Sequence, residues 1–151
     1  MSQVEGAGPR LSAETLHAST VALDNRAVLI TGPSGSGKSD LALRLLDRGF
    51  TLVSDDQTIV KRGGDRLLAS APPTIAGKLE IRGIGIVEME RMDDVPVALL
   101  VELTSDIQRL PDDSRSRPIL GVSVPLISID AMTASAPSKV ALALDRMGLK
   151  F

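Results

Sequence analysis

The chain has 151 residues with 17 basic and 19 acidic side chains, so its net charge of −2 gives no general attraction to nucleic acid. It contains no cysteine and one histidine, which excludes disulfides, thiolate metal sites and metal sites built from several histidines. Hydrophobic residues make up 43% of the sequence and only two of them are phenylalanines, with no tryptophan or tyrosine. This composition predicts one domain with an aliphatic core. Because no segment has the pattern of a signal peptide or a membrane span, we expect a soluble, cytoplasmic protein.

The first predicted elements are a strand, a tight turn and a second strand. Residues 1–12 are polar and are interpreted as a flexible lead-in to a domain over 13–151. Residues 16–23 predict a strand, and residues 24–26 leave room only for a tight turn. The apolar segment 27–31 is therefore expected to run antiparallel to the strand before it.

The next segment has the spacing G-x-x-x-x-G-K-[ST], which is typical of a phosphate-binding loop. Its glycines turn backbone N–H groups toward phosphates, its lysine adds a cation, and its last hydroxyl can hold Mg²⁺. Residues 39–48 predict a helix that Gly49 ends, and the N-terminus of that helix adds a partial positive charge. We therefore predict a nucleoside triphosphate site at Gly32, Pro33, Ser34, Gly35, Ser36, Gly37, Lys38 and Ser39.

Two adjacent carboxylates follow the helix. Residues 51–54 predict a short strand that ends at Asp55 and Asp56. Phosphoryl transfer needs a carboxylate for Mg²⁺ and a base for the incoming hydroxyl, and this pair can supply both. An acidic pair at a strand end can also be a solvated turn, but the phosphate loop favours function. His17 lies on the strand antiparallel to the loop strand, and a lone histidine is either structural or catalytic.

The second half of the chain predicts mostly strands. Residues 58–60 and 66–69 indicate a hairpin. In segment 79–87, Glu80 and Arg82 share one face if the segment is a strand, either toward solvent or toward Mg²⁺ and a phosphate. The remaining predictions are a buried strand over 95–103, a mobile polar loop over 109–118, one or two strands over 119–129, and a helix over 135–147 that Gly148 ends.

These segments resemble the HPr kinase/phosphorylase family, bifunctional serine kinases of the bacterial phosphotransferase system. The resemblance rests on His17, on segments 32–39 and 48–56, and on segment 79–86, which matches the pattern L-E-I-R-G-[LI]-G-I. It is good from about residue 16 to residue 103 and thin afterwards. It implies an α/β fold shared with phosphoenolpyruvate carboxykinases, in which a P-loop joins a mixed, partly antiparallel sheet.

The resemblance also implies roles for individual residues. Asp55 is expected to be the general base that deprotonates the target serine, and His17 is expected to lie beside it and tune its protonation. The resemblance further implies that Ser39, Asp56 and Glu80 hold Mg²⁺. It also implies that Lys38 and Arg82 stabilise the charge on the transferred phosphoryl group.

The chain departs from the family pattern in three ways. By resemblance it is expected to be the short alphaproteobacterial form, which lacks the N-terminal domain of full-length members. A basic motif of the type P-V-R-P-G-R, whose arginines support the phosphorylase reaction, is replaced by residues 124–129. Phosphorylase activity is therefore not predicted unless Arg115 and Arg117 take the place of that motif. The C-terminal helix is short in a region that the family uses near HPr and neighbouring subunits, and a hexamer is expected by resemblance alone.

We therefore expect an ATP- and Mg²⁺-dependent serine kinase that acts on HPr, without nucleic-acid or membrane partners. Two alternatives remain at this point. One is a non-catalytic nucleotide-binding sensor that contacts a partner through residues 109–118, and the other is a small-molecule kinase.

Overall fold

Over its described residues, the fold consists of a large sheet, a separate hairpin and two helices. A computed structural model describes residues 12–106 and 115–151. The first six strands are β1 (Ala13–Leu16), β2 (Ala18–Leu23), β3 (Arg26–Thr31), β4 (Thr51–Ser54), β5 (Thr58–Gly63) and β6 (Arg66–Ser70). The others are β7 (Lys78–Ile81), β8 (Gly85–Glu88), β9 (Val95–Leu103), β10 (Ser116–Ile119) and β11 (Val122–Ile129). The helices are α1 (Lys38–Leu46), α2 (Ala136–Met147) and a single 3₁₀ turn (Pro73–Ile75).

Strand β9 is the centre of the nine-stranded sheet, whose main order is β1-β5-β6-β9-β3-β2-β4. It runs parallel to β3 along one edge. Along its other edge it pairs antiparallel with β6 at Val95 and Pro96, and parallel with β11 from Leu100 onward. The sheet is therefore mixed and curled. Nearly every residue of β9 is buried, as expected of a strand that is covered on both faces.

The core is aliphatic and lies on both sides of the sheet. On β3, Val28 and Ile30 belong to the cluster that α1 and α2 cover, whereas Ala27 and Leu29 belong to the cluster on the opposite face. This follows from the alternation of side chains along a strand. The two phenylalanines differ: Phe50 is 5% exposed within the helix-side cluster, and Phe151 is 47% exposed.

The antiparallel approach to the phosphate loop is confirmed. Strands β2 and β3 pair antiparallel over their whole length, from Ala18 opposite Thr31 to Leu23 opposite Arg26. Asp24 and Asn25 form the turn with φ of 53° and 57°. Positive φ at both central residues is the geometry that two-residue hairpins prefer, and Asp and Asn tolerate it.

The first predicted strand is instead two strands. The predicted segment 16–23 begins earlier, at Ala13, and is broken at His17. Strand β1 pairs with β5, whereas β2 pairs with β3 and β4. His17 therefore lies where the chain passes from one neighbour to another, which the alternation of residue types does not indicate.

The prediction of a mobile loop over 109–118 is wrong at its end. Ser116 to Pro118 belong to β10, which pairs antiparallel with β11. These residues are exposed and lack apolar alternation, so their pairing partner rather than their composition makes them a strand. Residues 109–114, and the predicted lead-in apart from Ser12, lie outside the described residues.

In the part of the chain that the structure describes, neither helix has the length and apolar content needed to cross a bilayer.

Candidate functional site

The loop over residues 32–39 lies between β3 and α1 and closes on its own lysine. The Lys38 ammonium donates to the backbone carbonyl oxygens of Gly32 at 3.0 Å and Pro33 at 3.2 Å, and the residue is 6% exposed. Gly35 and Gly37 have φ of 80° and 101°, in the left-handed region that glycine adopts without strain. The local sequence therefore produces a tight turn with a buried cation at its centre.

The interior of the loop contains the hydroxyl of Ser36. Ser36 Oγ is buried and has no hydrogen-bond partner among residues 12–106 and 115–151. A Cβ at Gly32 would lie 2.6 Å from that oxygen, so the loop has no room for a side chain there. A buried polar atom without a partner is uncommon in native structures, and a bound phosphate oxygen is a natural partner for it.

Asp55 is a buried carboxylate that accepts three hydrogen bonds. Its Oδ1 accepts from Ser39 Oγ at 2.7 Å and from Ser19 Oγ at 2.9 Å, and its Oδ2 accepts from the Glu80 backbone N–H at 3.2 Å. Asp55 is 7% exposed. The end of β4 therefore brings a carboxylate against the last hydroxyl of the loop.

Asp56 has a different environment, although it is the next residue. Its side chain is 62% exposed and its Oδ1 lies 2.8 Å from His17 Nε2. Its φ is 68°, and this turn from Asp55 directs the two carboxylates to different neighbours. The expectation that His17 lies beside Asp55 is wrong, because the histidine contacts Asp56 and the serines contact Asp55.

Ser19 is the site residue that sequence analysis missed. It donates to Asp55 Oδ1 and accepts the Asp56 backbone N–H at 3.1 Å, so it holds both acidic residues. It is fully buried on β2. Local residue types did not indicate it, because His17 lies at the break before β2 and the pairing of β2 with β4 brings Ser19 to the acidic pair.

Glu80 and Arg82 lie on the small antiparallel hairpin of β7 and β8. The Glu80 backbone contacts Asp55, and its side chain is exposed. Arg82 is exposed in the turn after β7, which ends at Ile81. The prediction that both side chains share one face of a strand is therefore wrong for Arg82.

The assignment of Mg²⁺ to Ser39, Asp56 and Glu80 stays a prediction. Among the residues that the structure describes, no three acidic, histidine or cysteine side chains form a group suited to a metal ion. A hydroxyl and a carboxylate do meet at the contact between Ser39 and Asp55. One hydroxyl and one carboxylate fit Mg²⁺, which proteins commonly hold through one or two carboxylates while phosphates and water supply the other ligands.

A cleft of about 510 Å³ opens on the other flank of the loop. It is lined by residues 31–33, by residues 102–104 at the end of β9, and by Arg117. Its polar lining residues are Thr31, Glu102, Thr104 and Arg117. The loop thus lies between an acidic flank and a cleft with a basic rim.

Residues 10–144 match the family model described as "HPr Serine kinase C-terminal domain". Among curated proteins, the chain is 36% identical over 129 residues to the HPr kinase/phosphorylase of Prosthecochloris aestuarii, which covers 77% of this chain and 38% of that protein. It is 39% identical over 134 residues to the HPr kinase/phosphorylase of Xanthomonas campestris, which covers 78% of this chain and 42% of that protein. The chain thus spans about two fifths of these relatives.

A solved structure, the Hpr(Ser) kinase/phosphatase from Coxiella burnetii, superposes with a TM-score of 0.75 at 31% identity. The superposition covers 87% of this chain and 94% of that one. The predicted fold class, a mixed α/β fold of the HPr kinase type, is therefore confirmed.

Proposed function

The chain belongs to the family of HPr serine kinase C-terminal domains, and we propose that it is an ATP- and Mg²⁺-dependent kinase that phosphorylates a serine of the phosphocarrier protein HPr. One observation carries this proposal more than any other. The last hydroxyl of the phosphate loop, Ser39 Oγ, donates to Asp55 at 2.7 Å. The next residue, Asp56, is exposed and contacts His17. Phosphate binding and proton transfer are thereby combined at one strand end.

The loop supplies the nucleotide site of this proposal. Lys38 is held by two carbonyl oxygens, from which its ammonium can turn to the β- and γ-phosphates. Ser36 Oγ offers a donor to a phosphate oxygen. Charge that develops on the transferred phosphoryl group is then stabilised by Lys38 and by the N-terminus of α1.

Ser39 and Asp55 are the residues that would hold Mg²⁺. When bound, the ion neutralises charge on the β- and γ-phosphate oxygens. The burial of Asp55 and its three hydrogen bonds suit a fixed ligand, because they hold the carboxylate in one orientation.

We propose that Asp56, rather than Asp55, is the general base. A base must reach the hydroxyl of a protein substrate, and the Asp56 side chain is 62% exposed whereas Asp55 is 7% exposed. His17 orients the Asp56 carboxylate through the contact at 2.8 Å. The roles that the resemblance implied for the two aspartates are thus exchanged in this proposal.

The serine hydroxyl of HPr gives its proton to the Asp56 carboxylate as the serine oxygen bonds to the terminal phosphorus of ATP. The bond from that phosphorus to its bridging oxygen breaks, and ADP leaves with the electron pair. Glu80 and Arg82 lie on the hairpin beside the acidic pair, where we propose that they border the bound acceptor protein.

The test is mass spectrometry of HPr after incubation with the protein and Mg-ATP, followed by addition of excess phosphate. We expect one added phosphate on a serine, and its loss in the second stage if phosphorolysis occurs. Asp65 is exposed in the turn between β5 and β6, so Asp65→Asn is the control for substitutions of Asp55 and Asp56.

ATP binding without transfer to HPr would contradict this proposal and favour the sensor alternative. ATP consumption with a metabolite panel but without HPr would favour a small-molecule kinase. The resemblance also implies a hexamer. Light scattering that gives the 15.9 kDa mass of one chain would contradict this assembly.

A further inference from the structure

Two arginines are held by one carboxylate at the carboxyl end of β9. Glu102 Oε2 accepts from Arg117 Nη2 at 3.0 Å, and Glu102 Oε1 lies 3.5 Å from Arg115 Nη2. Ser128 on β11 accepts from Arg115 Nη1 at 2.8 Å and donates to Glu102 Oε1 at 3.3 Å. The cluster joins three neighbouring strands and fixes the direction of both guanidinium groups.

The cluster has a net positive charge. The hydrogen bond from Arg117 holds the pKa of Glu102 below its ordinary value, with further contributions from Ser128 and Arg115, although partial burial acts in the opposite direction. Glu102 is therefore ionised at neutral pH. It neutralises one guanidinium and leaves one positive charge at the rim of the cleft.

The donors of Arg117 are only partly used. Within residues 12–106 and 115–151, the contact with Glu102 is the one hydrogen bond that its guanidinium makes. A guanidinium has five N–H donors in a planar fork that matches a phosphate. The Arg117 side chain is 44% exposed and lines the cleft, so its remaining donors are accessible from the cleft.

The cleft borders the terminal-phosphate end of the loop. Lys38 contacts Gly32 and Pro33, and a loop lysine serves the β- and γ-phosphates. These same two residues line the cleft. A Cβ at Gly32 would lie 3.1 Å from Leu103 Cβ, so the end of β9 lies close to the loop.

We propose that this cleft is a second anion subsite that binds a phosphate dianion through Arg117, with Glu102 and Arg115 as positioning residues. The inference rests on the proposed function, because it gives a place beside the loop to inorganic phosphate or to the phosphate of a phosphoserine. It also gives a role to basic residues in a chain whose segment 124–129 contains none. The competing explanation is that the ion pairs only fasten β10 to β9.

Binding of inorganic phosphate, without any turnover, separates these explanations. Calorimetric titration of the full chain should show two phosphates bound per chain, one in the loop and one in the cleft. Lys38→Met should remove the first and Arg117→Gln the second, and the double variant should bind none. Arg146→Gln, an exposed arginine on α2, should titrate like the unmodified protein.

Two further variants separate binding from structural support. Arg117→Lys keeps the charge but loses the planar fork, and we expect at least about tenfold weaker binding in the cleft. Glu102→Gln keeps both arginines but no longer orients them, so cleft affinity should fall while loop affinity stays the same. Equal cleft affinity in Arg117→Gln and the unmodified protein, with both folded by circular dichroism, would overturn the proposal.

The source of the phosphate is decided by competition. A short phosphoserine peptide that displaces phosphate from the cleft in Lys38→Met assigns the cleft to the esterified phosphate, whereas binding of phosphate without displacement assigns it to inorganic phosphate. A chain that fails to label HPr yet shows both binding sites would contradict the proposed function and leave this inference standing. A chain that labels HPr but binds only one phosphate would support the proposed function and contradict this inference.

Discussion

At the scale of single residues, the site depends on the difference between two adjacent aspartates. Asp55 is buried among hydroxyls and a backbone N–H, whereas Asp56 is exposed and contacts His17. Two carboxylates in different environments can take different roles at one site, and the proposed function divides metal binding and proton transfer between these two. Ser19 stabilises this division because it bonds to both residues.

The first prediction distinguishes the two aspartates. Asp56→Asn should lower kcat for HPr phosphorylation by about 10²–10⁴-fold, the usual contribution of a general base, with little change in ATP affinity. Asp55→Asn should instead weaken binding of Mg-ATP. Steady-state kinetics and an ATP titration of each variant test this, and equal effects of both substitutions would contradict the assignment.

The second prediction concerns the pH dependence of stability. The pKa of Glu102 is lowered in the folded state, chiefly by the hydrogen bond from Arg117, so its contribution is present above the unfolded-state pKa and is lost as pH falls through the folded-state pKa. Glu102→Gln should therefore lower the free energy of unfolding at neutral pH, and the difference should vanish in acid. Urea denaturation across this range measures it.

Glu14→Gln is the control for the second prediction, since Glu14 is exposed on β1. A difference between Glu102→Gln and the unmodified protein that stays constant down to strongly acidic pH would show that the carboxylate charge does not contribute.

At the scale of elements, the phosphate loop depends on what packs against it. Arg44 of α1 donates to the backbone carbonyls of Ala131 and Thr133, which fixes the segment after β11 against the helix. A Cβ at Gly37 would lie 3.3 Å from Ala131 Cβ. The N-terminus of α1 is thus enclosed on one side, whereas the tip of the loop is not.

The third prediction compares two glycines of the loop. Gly35→Ala and Gly37→Ala both place an alanine in the left-handed region, at about 1–2 kcal/mol each. Gly37→Ala also crowds Ala131, whereas a Cβ at Gly35 meets no atom within 4 Å. We expect a larger loss of stability and of ATP affinity in Gly37→Ala, as measured by denaturation and titration. Equal losses would show that backbone strain alone decides.

The fourth prediction concerns α2. Leu144 is 2% exposed in the core between helix and sheet, and Leu142 is 55% exposed on the same helix. Leu144→Ala should destabilise the fold by about 2–5 kcal/mol, and Leu142→Ala by about 0.5 kcal/mol or less. Urea denaturation measures both, and a large effect at Leu142 would indicate that another chain covers this face.

At the scale of the whole molecule, elements that depend on local sequence were predicted, whereas elements that depend on pairing between distant strands were not. The loop, its helix, the buried strand β9 and the antiparallel β2–β3 pair follow from spacing and periodicity. The break at His17 and the strand β10 do not, because each depends on a distant strand that local residue types do not reveal. Contacts of the site differ in the same way: a motif indicated Ser39 and Asp55, but only the fold brings His17 to Asp56.

The short β2–β3 turn has a consequence for the order of folding. His17, Ser19 and the loop all lie within or next to this hairpin, whose strands are separated by two residues, Asp24 and Asn25. Local pairs close in microseconds, whereas the parallel pairing of β3 with β9 must wait for residues more than sixty positions later in the chain.

Half of the site is therefore expected to assemble early, before the core is complete. Asn25→Ala, which strains the turn, should slow refolding, and Val101→Ala on β9 should chiefly accelerate unfolding. Stopped-flow refolding and unfolding rates test this order. A newly synthesised chain would then have the β2–β3 hairpin paired while the strands that complete the domain are still being made.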